Sequence, residues 1–414
     1  MTGSVFTKPY TSAHNIVSLL YAVIFLLPFT HLFYVPLVIA LLLALWRVRE
    51  HGKQELRIGS LRQAGAAFLL CSFLSVINSP DKLFSLFNWC FLPLMYAVLY
   101  ILIVTYADSR DIRKNLMLSF FAGAVLVMVY GVWQYTHIVD MATDMAAHDW
   151  VDASRFPMLY RRFYSTLENP NLCATYLLMM TSYSGAFFLF EKRRRQKGML
   201  LLLTMGLVVC LALTYSRGAW ISLLFILAVY GLEYDKRLFA LLLLVPVILF
   251  FYQGQVAVRF LSLFSAQDTS IGMRFTMWRN TLRMISDHPL LGCGWGAYYL
   301  VYPDYDLLIR RAGVTIFHAH NMYLSVMANV GIPGAIAYFW FYFGHIRYAW
   351  RVYRKSQDTF YKAIGLGTIA AITAVAVNGI GDYTLFSIAV SMCFWALMAI
   401  GMSSYENRLE TDNC

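Results

Sequence analysis

The chain has 414 residues, 60% of them hydrophobic and only 13% charged, with a mean hydropathy of +0.59. Soluble domains run at about 45–50% apolar and about 25% charged, so an ordinary soluble domain, a disordered chain and a disulfide scaffold are all excluded. The net charge of +11 comes from 33 basic and 22 acidic residues. The basic residues cluster in short segments between apolar runs, where they set membrane topology rather than bind nucleic acid.

In chain order, the apolar runs predict twelve membrane spans, at 15–30, 32–46, 63–78, 89–107, 116–135, 172–190, 199–215, 219–233, 238–252, 321–345, 361–381 and 384–402. Several are shorter than the ~20 residues that a perpendicular helix needs, so their ends must extend into flanking residues or the bilayer must thin. The first run is followed at once by another, so no cleavable signal peptide is expected. Cys71, Cys90, Cys173, Cys210, Cys293, Cys393 and Cys414 lie mostly inside apolar runs without ligand spacing and read as small buried hydrophobes. Two connections are long, 136–171 and 253–320, and no internal repeat is visible.

Charge orients the bundle. The connections after even-numbered spans carry clusters such as Arg47–Arg62, Arg110–Lys114, Lys192–Lys197 and Arg347–Lys362, and with the tails they hold 22 of the 33 basic residues. The opposite side carries the remainder despite holding both long loops. The positive-inside bias therefore predicts cytoplasmic termini and places both long loops outside. The expected organisation is a bundle of nine spans over 1–252, an outer loop subdomain over 253–320, and three spans with a cytoplasmic tail over 321–414. Val256–Phe264 reads as a segment lying along the membrane surface, and Gly272–Asp287 as a helix. The glycines of 287–296 suit tight turns or close backbone approach to a ligand.

Arginines that face outward against the topology need a reason. Arg217 stands in a tight connection, Thr214-Tyr-Ser-Arg-Gly-Ala-Trp220; its guanidinium suits a phosphate, or it snorkels from a helix end. Arg274, Arg279 and Arg283 share one helix. They suit an anionic headgroup or a pyrophosphate, although Arg279 and Arg283 alone read as a solvated basic face. His318 and His320 open the tenth span beside Asn321. Imidazole is the side chain best poised for proton transfer near neutrality, and Asn321 suits a helix cap or a substrate contact. No carboxylate or cysteine accompanies the two histidines at zinc-site spacing, so no metal is expected.

Asn169 and Asn171, in Glu168-Asn-Pro-Asn171, suit a turn and helix cap or a polar contact facing outward. Asn378 and Asp382 near the end of the eleventh span suit orienting a histidine or arginine, or satisfying helix ends. Asp140, Asp144, Asp149 and Asp152 read as a solvated acidic face. There is no phosphate-binding loop, nucleophile elbow, dinucleotide fingerprint or outward Asp-rich metal motif.

Several motifs in fixed order then resemble the O-antigen ligase family. They are Tyr-Ser-Arg-Gly-Ala-Trp at 215–220, Arg274 followed by Trp278, Asp-His-Pro-Leu-Leu-Gly-Cys-Gly-Trp-Gly at 287–296, and His320-Asn-x-Tyr-Leu followed by Gly331-Ile-Pro-Gly. The Asn169-Pro-Asn171 cluster is also similar to a family feature. The superfamily includes O-antigen polymerases and protein O-oligosaccharyltransferases. The resemblance implies an all-α polytopic, glycosyltransferase-C-like enzyme of the bacterial inner membrane, with a large periplasmic loop between the ninth and tenth spans. It implies metal-independent, inverting transfer of a glycan from undecaprenyl pyrophosphate to lipid A–core oligosaccharide, without a cofactor. His320 would be the base, and Arg217 and Arg274 would bind the leaving pyrophosphate. His318, Asn321, Arg279, Asn169, Asn171 and Asp382 complete the candidate substrate contacts. The expected partners are the lipid-linked donor, the acceptor and membrane lipids, with no nucleic acid. A polymerase on the same carrier lipid, and a secondary transporter or lipid flippase, are the competing readings.

Overall fold

A computed structural model describes residues 8–29, 31–52, 56–137, 162–243 and 269–412. Among them the chain is helical, without strands. The helices are α1 (Lys8–Leu26), α2 (Tyr34–His51), α3 (Arg62–Ser75), α4 (Lys82–Phe91), α5 (Pro93–Tyr106), α6 (Arg110–His137), α7 (Pro170–Phe190), α8 (Arg194–Leu213) and α9 (Arg217–Glu233). There follow α10 (Thr269–Asp287), the short α11 (Tyr298–Val301) and α12 (Leu307–Ala312), and then α13 (Met322–Lys355), α14 (Thr359–Gly381) and α15 (Ile388–Asp412). Caps begin several of them in the expected way. Asp81 accepts from the amide of Phe84 at 2.9 Å, and Asp358 accepts from that of Phe360 at 2.9 Å.

Eight helical stretches among the described residues are long and apolar enough to cross a membrane: His31–His51, Lys82–Tyr106, Arg110–His137, Pro170–Phe190, Arg194–Leu213, Met322–Lys355, Thr359–Gly381 and Ile388–Glu406. The chain is therefore a multi-pass membrane protein in character. The remaining predicted spans differ from this set for local reasons. Helices α3 and α9 have 14 and 17 residues, and α1 contributes an apolar stretch of Ala13–Leu26. Where a span is predicted at 238–252, a 3₁₀ segment runs over Lys236–Leu243 and the rest lies outside the described residues. The predicted surface segment 256–264 and the acidic residues Asp140, Asp144, Asp149 and Asp152 also lie outside them.

Burial sorts the bundle. The apolar windows of α7, α14 and α15 are 78%, 83% and 83% buried, against 17% for α8 and 28% for the stretch containing α2. The first three form the centre, while α2 and α8 turn most of their surface outward, as lipid-facing helices do. Helix α14 can sit at the centre because it is thin: a Cβ on Gly365 would lie 2.6 Å from the Ala349 carbonyl oxygen. Small residues of this kind let membrane helices approach backbone to backbone.

Helix α13 is broken at Gly331 (φ 72°, ψ 178°), just before Pro333. The break is held by the glycine-rich segment before α11. The amides of Cys293 and Gly294 donate to the carbonyls of Ala328 (2.8 Å) and Asn329 (3.1 Å), and the Ile332 amide donates to the Pro289 carbonyl (2.8 Å). A Cβ on Gly292 would lie 2.5 Å from Asn329 backbone, and one on Gly331 would lie 2.3 Å from the Leu290 oxygen. At these two positions glycine is required by both positive φ and close approach. The two glycine motifs thus bind each other. The reading of the 287–296 glycines as an approach to a ligand gives way to backbone contact with α13, because the break leaves orphan carbonyls that need donors.

A small separate apolar cluster, with Met277, Met284 and Ile285 of α10 and Tyr298 and Tyr302 near α11, packs this segment onto Ala319 and Ala328. It carries α10 to the start of α13.

Candidate active site

Three helices begin together around the C-terminal end of α14. At α7, Asn169 is the cap and its side chain accepts from the amides of Asn171 (2.8 Å) and Leu172 (3.4 Å). At α13, the Asn321 side chain accepts from the Leu324 amide (3.0 Å) and donates to the Ile380 carbonyl (3.0 Å). At α9, Gly218 follows Arg217, and a Cβ there would lie 2.8 Å from Oδ1 of Asn378. Asn378 in turn donates to Thr175 Oγ1 of α7 (2.9 Å), which bonds Thr384 Oγ1 (2.9 Å).

Each of these three helices is preceded by a non-glycine residue with positive φ: Glu168 (59°), Tyr215 (53°) and His320 (48°). Such conformations cost of order 1–3 kcal/mol each and gather where surrounding structure imposes them, often at functional sites. Three helix N-termini turned toward one region supply backbone N–H groups and the positive ends of their dipoles, which suits an anion.

Within this region His320 Nδ1 lies 3.1 Å from Asp382 Oδ1. Asp382 also accepts from the Tyr383 amide (2.8 Å, Oδ1) and from Asn171 Nδ2 (2.8 Å, Oδ2). The carboxylate is buried, and burial alone pushes its pKa up. The bond and charge of His320, with the charges of His318 and Arg274, outweigh that and hold it well below the usual carboxylate range. An ionised Asp382 at Nδ1 puts the proton of a neutral His320 on that nitrogen and leaves Nε2 with its lone pair. The His320 side chain is 34% exposed and Asp382 only 11%, so the imidazole faces outward with its carboxylate behind it.

His318 is different. It is buried, its ring stands 4.5 Å from those of both His320 and Phe386, and its Nδ1 accepts from the His320 amide at 3.1 Å. Burial first, then the charges of His320 and Arg274, push its pKa down to about 3 against the opposing pull of Asp382. A neutral, packed imidazole that bonds the strained His320 backbone holds the loop in shape.

Two arginines reach the same region by different routes. Arg217 is buried at the first residue of α9. Arg274 is half-buried on α10, one turn before Trp278, whose indole N–H donates to the Ala319 carbonyl at 3.0 Å. Residues four apart share a helix face, so Arg274 is carried toward the histidine loop. Its charge acts on both His318 and Asp382. Arg279, by contrast, is exposed on α10. Asn169 and Asn321 spend their side chains on helix ends.

Comparison with known proteins now bears on this arrangement. Residues 198–339, from α8 to the middle of α13, match the family model described as O-antigen ligase. The resemblance to the O-antigen ligase family holds. A "ComP-specific O-oligosaccharyltransferase" of Acinetobacter baylyi (strain ATCC 33305 / BD413 / ADP1) is 23% identical over 224 residues. That alignment covers 50% of this chain and 40% of the relative's length. The family match takes in Arg217, Arg274, His318, His320 and Asn321, whereas Asn169, Asn171 and Asp382 fall outside it.

Two long-range pairings complete the site. The first is the carboxylate of the histidine pair: Asp382, expected to orient a histidine or an arginine or to satisfy helix ends, meets His320 from 62 residues away. His318, His320 and Asp382 offer ligand atoms within 4.8 Å of one another, close enough to share a metal ion. Nδ1 of His320 and Oδ1 of Asp382 already bond each other, and Nδ1 of His318 accepts a backbone amide. An ion would have to take the Nε2 atoms or break that network. The second is Arg162, buried just before α7, whose Nε donates to the Thr214 carbonyl (2.8 Å) and whose Nη2 donates to Asn171 Oδ1 (3.2 Å). The signal for it was present: an outward arginine that topology disfavours, the same argument that singled out Arg217.

Proposed function

We propose that the chain transfers a glycan from undecaprenyl pyrophosphate to a hydroxyl of lipid A–core oligosaccharide, at the periplasmic face of the inner membrane, by a metal-independent inverting reaction. The observation that carries this reading is the bond between His320 Nδ1 and Asp382, which leaves Nε2 of a partly exposed imidazole to take a proton at the loop that opens α13.

The acceptor hydroxyl gives its proton to His320 Nε2 as its oxygen attacks the anomeric carbon. The bond from that carbon to the phosphate oxygen breaks, its electron pair leaves with the diphosphate, and the configuration inverts. The imidazolium that forms is stabilised by Asp382, and positioned bases of this kind are worth typically 10²–10⁴-fold. The departing diphosphate gains charge on its bridging oxygen. Arg217, Arg274 and the N–H groups of the converging helix starts meet that charge in a low-dielectric setting, where fixed donors are most effective. A membrane-bound donor needs this site at the bilayer boundary, which is where the outer connections of the predicted topology put it.

A second reading concerns the acceptor alone. The relative is an O-oligosaccharyltransferase, and the same donor half-site serves if the hydroxyl belongs to another molecule. Purified protein, given lipid-linked donor and either acceptor without ion gradient or ATP, is expected to join glycan to the lipid A core with inverted linkage. Transfer to a polypeptide hydroxyl instead would move the reading to the second acceptor, and no joining at all would return it to a transporter or flippase. In cells, deletion of the gene should leave polymer on the carrier and the core uncapped. Loss of polymer with one repeat still on the core would indicate the polymerase.

A further inference from the structure

Arg162 is a buried guanidinium in the segment that leads into α7, and the path through it has a direction. Beside it the Phe163 amide donates to the Leu213 carbonyl at 2.9 Å, so the segment lies against the C-terminal end of α8. There Arg162 Nε meets the carbonyl of Thr214, three residues before Arg217. A cation at a helix C-terminus is favourable, and this end alone would read as ordinary capping.

The other end has a further consequence. A guanidinium has donors only, so the side chain of Asn171 must present Oδ1 to it. The amide NH₂ is then turned the other way and donates to Asp382 Oδ2 at 2.8 Å. With Oδ2 engaged, Oδ1 of Asp382 is left for the Tyr383 amide and His320 Nδ1. Each link sets the polarity of the next. The path runs without interruption from the Thr214 carbonyl, through Arg162, Asn171 and Asp382, to the imidazole.

We propose that Arg162 is a positioning residue that ties the loop bearing Arg217 to the orientation of the His320–Asp382 pair, so that the leaving-group side and the base side of the site are set by one buried side chain. The assignment rests on the proposed glycan transfer for its kinetic meaning, while the path itself is a matter of geometry. Asn171 is then a link in that path and not a substrate contact.

A double-mutant cycle tests it, with Arg162→Met, Asn171→Leu and the double variant, using lipid-linked donor and lipid A–core acceptor. Arg162→Met is expected to lower kcat about ten- to a hundredfold, the loss that goes with a charge-assisted hydrogen bond, while KM for either substrate changes by less than about threefold. Arg162→Lys, which keeps the charge and reaches only one of the two acceptors, is expected to recover part of kcat. The double variant is expected to be no slower than the slower single variant, since both cut one path. Multiplying losses, or wild-type kcat in Arg162→Met, would overturn the proposal. If Arg162→Met fails to accumulate in the membrane, the cycle is run with Arg162→Lys and the same criteria apply. Turnover by the wild-type chain is the control for the functional reading, so its failure is distinct from failure of the path.

Discussion

Helix α13 has histidines in two settings, one at its mouth and one inside the bundle, and the contrast shows what separates an imidazole open to chemistry from one locked into packing. His345 lies buried in α13, with Nε2 2.9 Å from the Tyr100 hydroxyl and Nδ1 2.7 Å from the Phe341 carbonyl. Both of its nitrogens are engaged, and aromatic rings of Tyr100, Phe341 and Trp395 surround it. His320 has one nitrogen on Asp382, a backbone held at positive φ, and about a third of its side chain exposed. A polar group with every lone pair satisfied adds specificity to packing. One that is half satisfied, held rigid and open on one side is available for chemistry.

Substitutions can break that contrast directly. His320→Ala is expected to abolish glycan transfer, a loss of about 10²–10⁴-fold, with normal membrane abundance; His345→Ala is expected to retain turnover per folded molecule while accumulating less. Equal kinetic losses in the two would remove the distinction. Next in size, Arg217→Ala and Arg274→Ala are each expected to lower kcat by about 10²–10³-fold, as loss of a fixed donor to a developing oxyanion does. Unchanged kcat in either would take that residue out of the leaving-group site. Asp382→Asn is expected to lower kcat less than removal of the imidazole does, because an amide reverses the donor–acceptor match at Nδ1 while leaving the ring in place. Parity with wild type would mean that the carboxylate does not set the tautomer.

The smallest expected effect is on stability. His318 has a folded-state pKa of about 3 against an ordinary 6.5. Between those values the unfolded chain binds more protons than the folded one, so stability falls as pH drops from about 6.5 toward about 3. The lowered pKa of Asp382 acts in the same direction below the ordinary carboxylate range. Thermal unfolding followed across this window should show the decline, and His318→Phe should flatten its upper part. A flat profile in wild type would show that His318 is not held neutral by burial.

Much of this was legible in the chain because hydropathy and charge are local. Runs of apolar residues marked eight helices long enough to cross a membrane among the described residues, displaced charge singled out Arg217, and a His-Asn pair opening a helix singled out His320. What escaped was pairing across distance. Asp382 was expected to orient a histidine or an arginine, or to satisfy helix ends, but nothing local shows which, and its histidine lies 62 residues earlier. Arg162 meets a carbonyl 52 residues later, and it drew no notice although its position breaks the same topological rule as that of Arg217. The glycines at 292 and 294, read as tight turns or as an approach to a ligand, hid their partner for a related reason. Their partner is a helix break, and Gly331 inside an otherwise helical pattern does not announce that its neighbours' carbonyls need donors.

The most direct test of the central claim is the initial rate of glycan transfer by purified wild-type protein in excess EDTA. If arginine side chains and helix starts stabilise the leaving diphosphate while His320 takes the proton, the rate in chelator equals that with added Mg²⁺, Mn²⁺ or Zn²⁺. A rate that vanishes in chelator and returns with one of these ions would contradict the claim and assign His318, His320 and Asp382 to a metal instead.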